Sequence, residues 1–166
     1  MTHFNTARLK LRTITTNDAA FYLQLINEPS WHQYIGDRGI RTLEEAQKAI
    51  VNGPLDMQTR LGFSLYLAEL SETGEPIGLC GLLKRNYLEY PDLGYAFLPQ
   101  YWKQGFANEA ASGVLKYAKE VLNLTQILAT TDTDNQPSMQ LLQKLGFSFS
   151  KKIMLDKELN LFSLDL

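Results

Sequence analysis

The feature that most constrains this chain is the way its hydrophobic period alternates after residue 92. Residues 92–98 (DLGYAFL) read as a strand closed by Pro99. A helical stripe follows over 105–122, then a strand over 126–131, a second helix over 137–145 and a strand opening at Phe147. The segment 158–166 closes the chain as a further strand. Strands joined through helices favour parallel neighbours and a sheet covered on its faces.

The first half supplies hairpins instead. Residues 8–15 alternate charged and apolar side chains, the period of a half-buried strand. Thr15, Thr16 and Asn17 offer helix caps ahead of Ala19, Tyr22, Leu23 and Ile26, and Pro29 ends that helix. Residues 31–35 suggest a short helical turn before Gly36. Thr42 and Glu45 have capping-box spacing and open a helix with Leu43, Ala46, Ala49 and Ile50 on its apolar side, which Asn52, Gly53 and Pro54 are expected to stop. Strands over 62–70 and 77–84 flank a polar, Gly- and Pro-containing turn. The expectation is one α/β (α+β) domain over residues 1–166, with a mixed sheet and helices on both faces.

A chain of 166 residues with 45% hydrophobic content builds a core without staples. Area scaling predicts a folded surface of roughly 8,300 Å², with about 70% of the unfolded chain's surface buried. The formal net charge of −2 and the lack of a basic run argue against a dedicated nucleic-acid or anionic-membrane binder. The single Cys80 and the two distant histidines, His3 and His32, make no disulfide or zinc spacing, so no metal is expected. No apolar run approaches a membrane span, and the start of the chain carries no leader-like segment, which gives a cytoplasmic expectation.

Two segments carry chemistry. In 102–107 (WKQGFA), Gly105 lets a backbone approach an anion, Ala107 keeps the first helical turn slim, and Lys103 adds charge to a helix start whose amides point at one spot. An ordinary strand-to-helix connection with one glycine fits the same residues. In 132–147 (DTDNQPSMQLLQKLGF), Asn135 caps a helix with Pro137 in its first turn, and Ser138 follows one turn inside. Capping alone accounts for Asn135.

Taken in order, "GYAFLPQYWKQGFANEA" and "NQPSMQLLQKLGF" resemble the GCN5-related N-acetyltransferase (GNAT) superfamily. The opening "ARLKLRTITTNDA" and "DLGYAFLPQYW" are similar more narrowly to its RimJ/RimL-type branch. The resemblance spans nearly the whole chain. It implies a mostly antiparallel sheet of about six to seven strands and an enzyme that uses acetyl-coenzyme A as co-substrate.

It further implies that Trp102, Lys103, Gln104, Gly105, Phe106, Ala107 and Asn108 hold the pyrophosphate, with Trp102 departing from the family's Gln or Arg. The backbone of Ala96, Phe97 and Leu98 would pair with the pantetheine arm, and the amide of Phe97 or Leu98 would polarise the thioester carbonyl. Asn135 would bond the pantetheine and Ser138 would lie near the sulfur.

Where many family members carry a tyrosine acid, this chain has Leu142, which leaves Ser138 or solvent for that task. Asp92 is the leading candidate base. His32 has the intrinsic pKa for the role, and Glu109 is explained by the helix dipole. Trp31, His32, Tyr34 and Arg38 would line the acceptor side, equally readable as a lid on the core. The acceptor implied is a small-molecule amine or a protein N-terminus, and the chain a monomer or homodimer. A non-catalytic coenzyme A-binding or sensor domain is the alternative reading.

Overall fold

A computed structural model describes residues 2–166. One eight-stranded sheet runs through the molecule in the order β1-β2-β3-β4-β5-β6-β8-β7. The strands are β1 (His3–Asn5), β2 (Leu9–Thr13), β3 (Leu65–Leu70), β4 (Pro76–Leu83), β5 (Asp92–Phe97), β6 (Gln126–Asp132), β7 (Ser148–Met154) and β8 (Glu158–Asp165). Every neighbouring pair is antiparallel except β5 and β6. A parallel pair needs a long crossover, which helix α5 (Phe106–Glu120) supplies. The sheet has one strand more than the upper expected count. That strand is β1, three residues paired with β2 and too short to show a period.

Alternation sorts the strand residues into two cores. Tyr66 and Ala68 of β3 and Cys80 and Leu82 of β4 join one apolar cluster with Ala110, Ala111, Val114 and Ala118 of α5. Leu67 and Leu79 face the other way, onto Phe21 and Leu25 of α1 (Ala19–Ile26) and Ala46 and Ile50 of α3 (Leu43–Ile50). Fully buried alanines on α5 let that helix lie close against the sheet. The exposed surface is 8872 Å², near the size-based expectation. Among the described residues no helix is long and apolar enough to cross a membrane.

A short helix, α2 (Pro29–Tyr34), forms where a helical turn over 31–35 was expected, and Pro29 opens this helix whereas it was expected to close the preceding one. The region after α3 differs from the sequence reading. Asn52, Gly53 and Pro54 do not stop the helix: Val51–Leu55 widen into π geometry and lead into α4 (Asp56–Leu61). A π turn tolerates proline because the missing N–H falls where the regular ladder is already interrupted. The stop is Gly62 at φ +80, so β3 begins at Leu65 rather than at residue 62.

Candidate active site

The site grows from the place where two strands part. β5 and β6 share a single register pair, Asp92 with Leu128, beside a bond from the Leu128 amide to the Pro91 carbonyl at 2.9 Å. Beyond it they diverge. In antiparallel pairing the backbone groups of alternate residues face alternate neighbours. The Leu98 amide donates to the Ile77 carbonyl at 2.9 Å, so Leu98, Ala96 and Gly94 face β4, while Leu93, Tyr95 and Phe97 face the gap.

Leu98 also accepts from the Tyr101 amide at 2.9 Å, so both its backbone groups are engaged within the chain. Of Ala96, Phe97 and Leu98, it is Phe97 whose amide is turned toward the gap. The Phe97 carbonyl accepts the Trp102 indole N–H at 2.8 Å, so Trp102 braces the loop against the strand end.

That loop then delivers the start of α5. Lys103 adopts φ +61 and Gly105 φ +83, a left-handed pair that turns the chain into the helix. The first intrahelical bond runs from the Glu109 amide to the Gly105 carbonyl at 3.0 Å, which leaves the amides of Phe106, Ala107 and Asn108 without helical acceptors. Phe106 turns into the core, and Gln104 folds back to donate to the Gln100 carbonyl at 2.9 Å.

Arg8, outside the sequence-based set, lies across this turn. Its guanidinium meets Glu109 at 2.7 Å, the Gln104 carbonyl at 3.0 Å and the Phe106 ring at 4.1 Å from the centroid. It fixes the loop and brings a half-exposed positive charge to the helix start. Glu109 in turn accepts from Thr6 Oγ1 and the Arg8 amide, each at 2.6 Å. Burial works against its ionisation, but the Thr6 and Arg8 donors outweigh that and hold the carboxyl below the ordinary glutamate range. Glu109 is thus a structural clasp, more than a charge placed on a helix dipole.

On the far side of the gap, α6 (Gln136–Lys144) begins at Asn135, whose Oδ1 accepts from the Ser138 amide at 3.3 Å. The capping function is real, and it leaves the Asn135 Nδ2 hydrogens for another acceptor. Ser138 Oγ meets Tyr95 Oη, arriving from β5, at 2.5 Å. Burial pushes the Tyr95 phenol up to about 12. Leu142, the position where a tyrosine was absent, is buried in the core.

Asp92 stands at the closed end of the gap, on the opposite face of β5 from Tyr95. Its side chain is 2% exposed, Oδ2 pairs with Arg85 Nε at 3.1 Å, and Oδ1 has no partner within the described residues. Burial raises its pKa, with Arg85 and Lys84 pulling the other way.

The acceptor-side candidates are less closely tied to the gap. Trp31 packs on the apolar cluster that includes Leu98. His32 Nε2 lies 3.7 Å from Asp37 Oδ1, and Asp37 is itself held by Arg41 at 2.5 Å. Arg38 is exposed and Tyr34 half-buried. Among the described residues no hydrogen bond joins His32, Tyr34 or Arg38 to Asp92, Phe97 or Ser138.

A slim helix start with free amides, a facing backbone amide and a splayed strand pair are the parts a long phosphate-bearing thioester requires. The acetyltransferase (GNAT) domain profile matches residues 8–148, and the chain belongs to that family of acetyl-transferring enzymes. Among its relatives, the uncharacterized N-acetyltransferase YoaA of Bacillus subtilis (strain 168) is 33% identical over 144 residues, covering 86% of this chain and 80% of its own. The spermidine N(1)-acetyltransferase of Escherichia coli (strain K12) is 26% identical over 147 residues, 88% of this chain and 76% of that one. The fold is similar to that of RimL, a ribosomal L7/L12 alpha-N-protein acetyltransferase solved with coenzyme A. There the TM-score is 0.86 at 15% identity, over 99% of this chain and 98% of the other.

Proposed function

We propose that the enzyme transfers the acetyl group of acetyl-coenzyme A to the nitrogen of a primary amine, either a protein N-terminus or a small-molecule amine. The observation that carries this is the Phe97 amide, turned into the gap between β5 and β6 beside the Gly105-led helix start. The spermidine and ribosomal-protein acetyltransferases named above act on such amines, which supports the acceptor class.

The thioester supplies an activated acetyl group. The amides of Phe106, Ala107 and Asn108, with Lys103 and Arg8 alongside, suit the pyrophosphate. Phe97 N–H donates to the carbonyl oxygen, where negative charge gathers as the amine attacks. Asn135 Nδ2 holds the pantetheine arm, and Ser138 lies at the sulfur. Asp92, with one oxygen unpaired and a raised pKa, takes the ammonium proton directly or through water. In this reading the acceptor approaches from α2 and the segment that follows it, where Trp31, His32, Tyr34 and Arg38 lie.

Calorimetric titration with acetyl-coenzyme A tests the reading. The parent should give saturable binding. Gly105→Glu should lose it, because a carboxylate and a Cβ would stand where the pyrophosphate approaches. Gly105→Ala, which shares the strain of a left-handed residue without the charge, should retain a weaker signal. No binding by the folded parent would overturn the proposal.

A further inference from the structure

We infer that Tyr95 is a positioning residue: its hydroxyl fixes Ser138 so that the Ser138 hydrogen points into the gap, where it donates to the departing sulfur. This rests on the acetyl-transfer reading given above and adds to it a residue from a different strand.

Tyr95 Oη and Ser138 Oγ are 2.5 Å apart, and the Ser138 carbonyl lies at 3.5 Å from the same phenol. A phenol is a much stronger acid than an aliphatic alcohol, so the shared hydrogen belongs to Tyr95, and Ser138 Oγ is the acceptor. Ser138 then keeps its own hydrogen. Among the described residues no other bond from Ser138 Oγ is formed, so that hydrogen is unspent. Accepting from the phenol also polarises the serine hydroxyl and makes it a better donor.

The surroundings keep Tyr95 in this role. Its cross-strand partner on β4 is Cys80, fully buried, whose thiol burial pushes above its usual range. From α6 it meets Ser138. Neither neighbour carries charge, and burial holds the phenol neutral, so it remains a donor through the working pH range. The backbone on both sides is fixed: Ser138 by the Asn135 cap, Tyr95 by its β4 register. The bond from the phenol keeps the serine hydrogen off the side that faces Tyr95, and preorganised stabilisation of a developing anion draws on that restriction.

In the transfer step the amine nitrogen forms its bond to the carbonyl carbon and the ammonium proton leaves to the base. The C–S bond then breaks, with its electron pair going to sulfur. Ser138 stabilises the resulting thiolate by a hydrogen bond and transfers no proton. Solvent protonates the thiolate afterwards. A hydrogen bond to a charged group is consistent with an effect of about tenfold or more.

The test uses the full chain and coenzyme A itself. Ultraviolet difference titration of the coenzyme A complex, against protein alone, reads the ionisation of the bound thiol. The parent should favour the thiolate about tenfold over free coenzyme A. Tyr95→Phe and Ser138→Ala should each remove most of that preference, and the double variant should remove no more than either alone. Acetyl-coenzyme A affinity by calorimetry should stay within about threefold for all three. With spermidine or an alanine-initiated peptide as acceptor, kcat should fall about tenfold or more at unchanged KM. An unaltered thiol ionisation in Tyr95→Phe, with acetyl-coenzyme A still bound, would overturn the role of Tyr95 and leave the acetyl-transfer reading standing. Failure of the folded parent to bind acetyl-coenzyme A would overturn both.

Discussion

Asp92 is a carboxylate in an uncomfortable place. It is almost fully buried, with one oxygen paired to Arg85 and the other without a partner. Its folded pKa is raised, so keeping it ionised at neutral pH costs stability instead of adding to it. Such an arrangement suits a group that must accept a proton. Asp92→Asn is expected to melt at the parent temperature or slightly above, since Arg85 is partly exposed and can find water. Its kcat should drop by about 10²-fold or more at neutral pH, by the usual worth of a general base. A parental kcat in this variant would move the base elsewhere. Of the candidate site residues, Gly105, Asn135 and Ser138 stood out in the sequence because each belongs to a local pattern. Arg8 and Tyr95 did not. Arg8 reads as one charge in an alternating strand and Tyr95 as one aromatic among several, and their partners lie 101 and 43 residues away.

At the level of elements, helix starts were easier to foresee than helix ends. The Thr42–Glu45 box forms as its spacing predicts: the Glu45 amide donates to Thr42 Oγ1 at 3.2 Å, and the Thr42 amide to Glu45 Oε2 at 3.1 Å. Thr42→Ala should lower the unfolding free energy by about 1 kcal/mol, measurable by urea denaturation, with no change in acetyl-coenzyme A binding. The end of the same helix was misread at Pro54. A local rule treats proline as a breaker, but Ile50 buries against α1 and the sheet, and a π turn carries the chain past the missing donor. Packing against a surface that exists only after folding decides whether a helix ends. The start of α5 was legible for the converse reason, since the left-handed Gly105 stands immediately before its first residue, Phe106.

Across the whole molecule, two paired carboxylates pin β2 in place, one of them to a helix 101 residues away. Glu109 clasps β2's approach to α5, and Asp18 pairs with Arg12 at 2.8 Å. Burial disfavours ionised Asp18, while Arg12 and Thr15 outweigh it, so both carboxyls titrate below their ordinary values. A depressed folded pKa adds stability that is fully present above the unfolded value and is lost as pH falls through the folded one. The urea midpoint should therefore hold near neutral pH and decline below about pH 4.5. Glu109→Gln should lower the neutral midpoint and flatten that decline. An unchanged acid slope would show that the Arg8–Glu109 clasp contributes nothing to folding.

By itself the sequence determined the fold class, the alternation of elements after residue 92, the helix starts and the family, because each follows from local periodicity, capping chemistry or contiguous motifs. Tertiary structure alone decided that β5 and β6 part after one register pair, that Phe97 and not Leu98 faces the gap, that Arg8 braces the turn at Gly105 and that Tyr95 meets Ser138. Those outcomes depend on hydrogen-bond parity across neighbouring strands and on contacts between residues far apart in the chain. No local spacing encodes them.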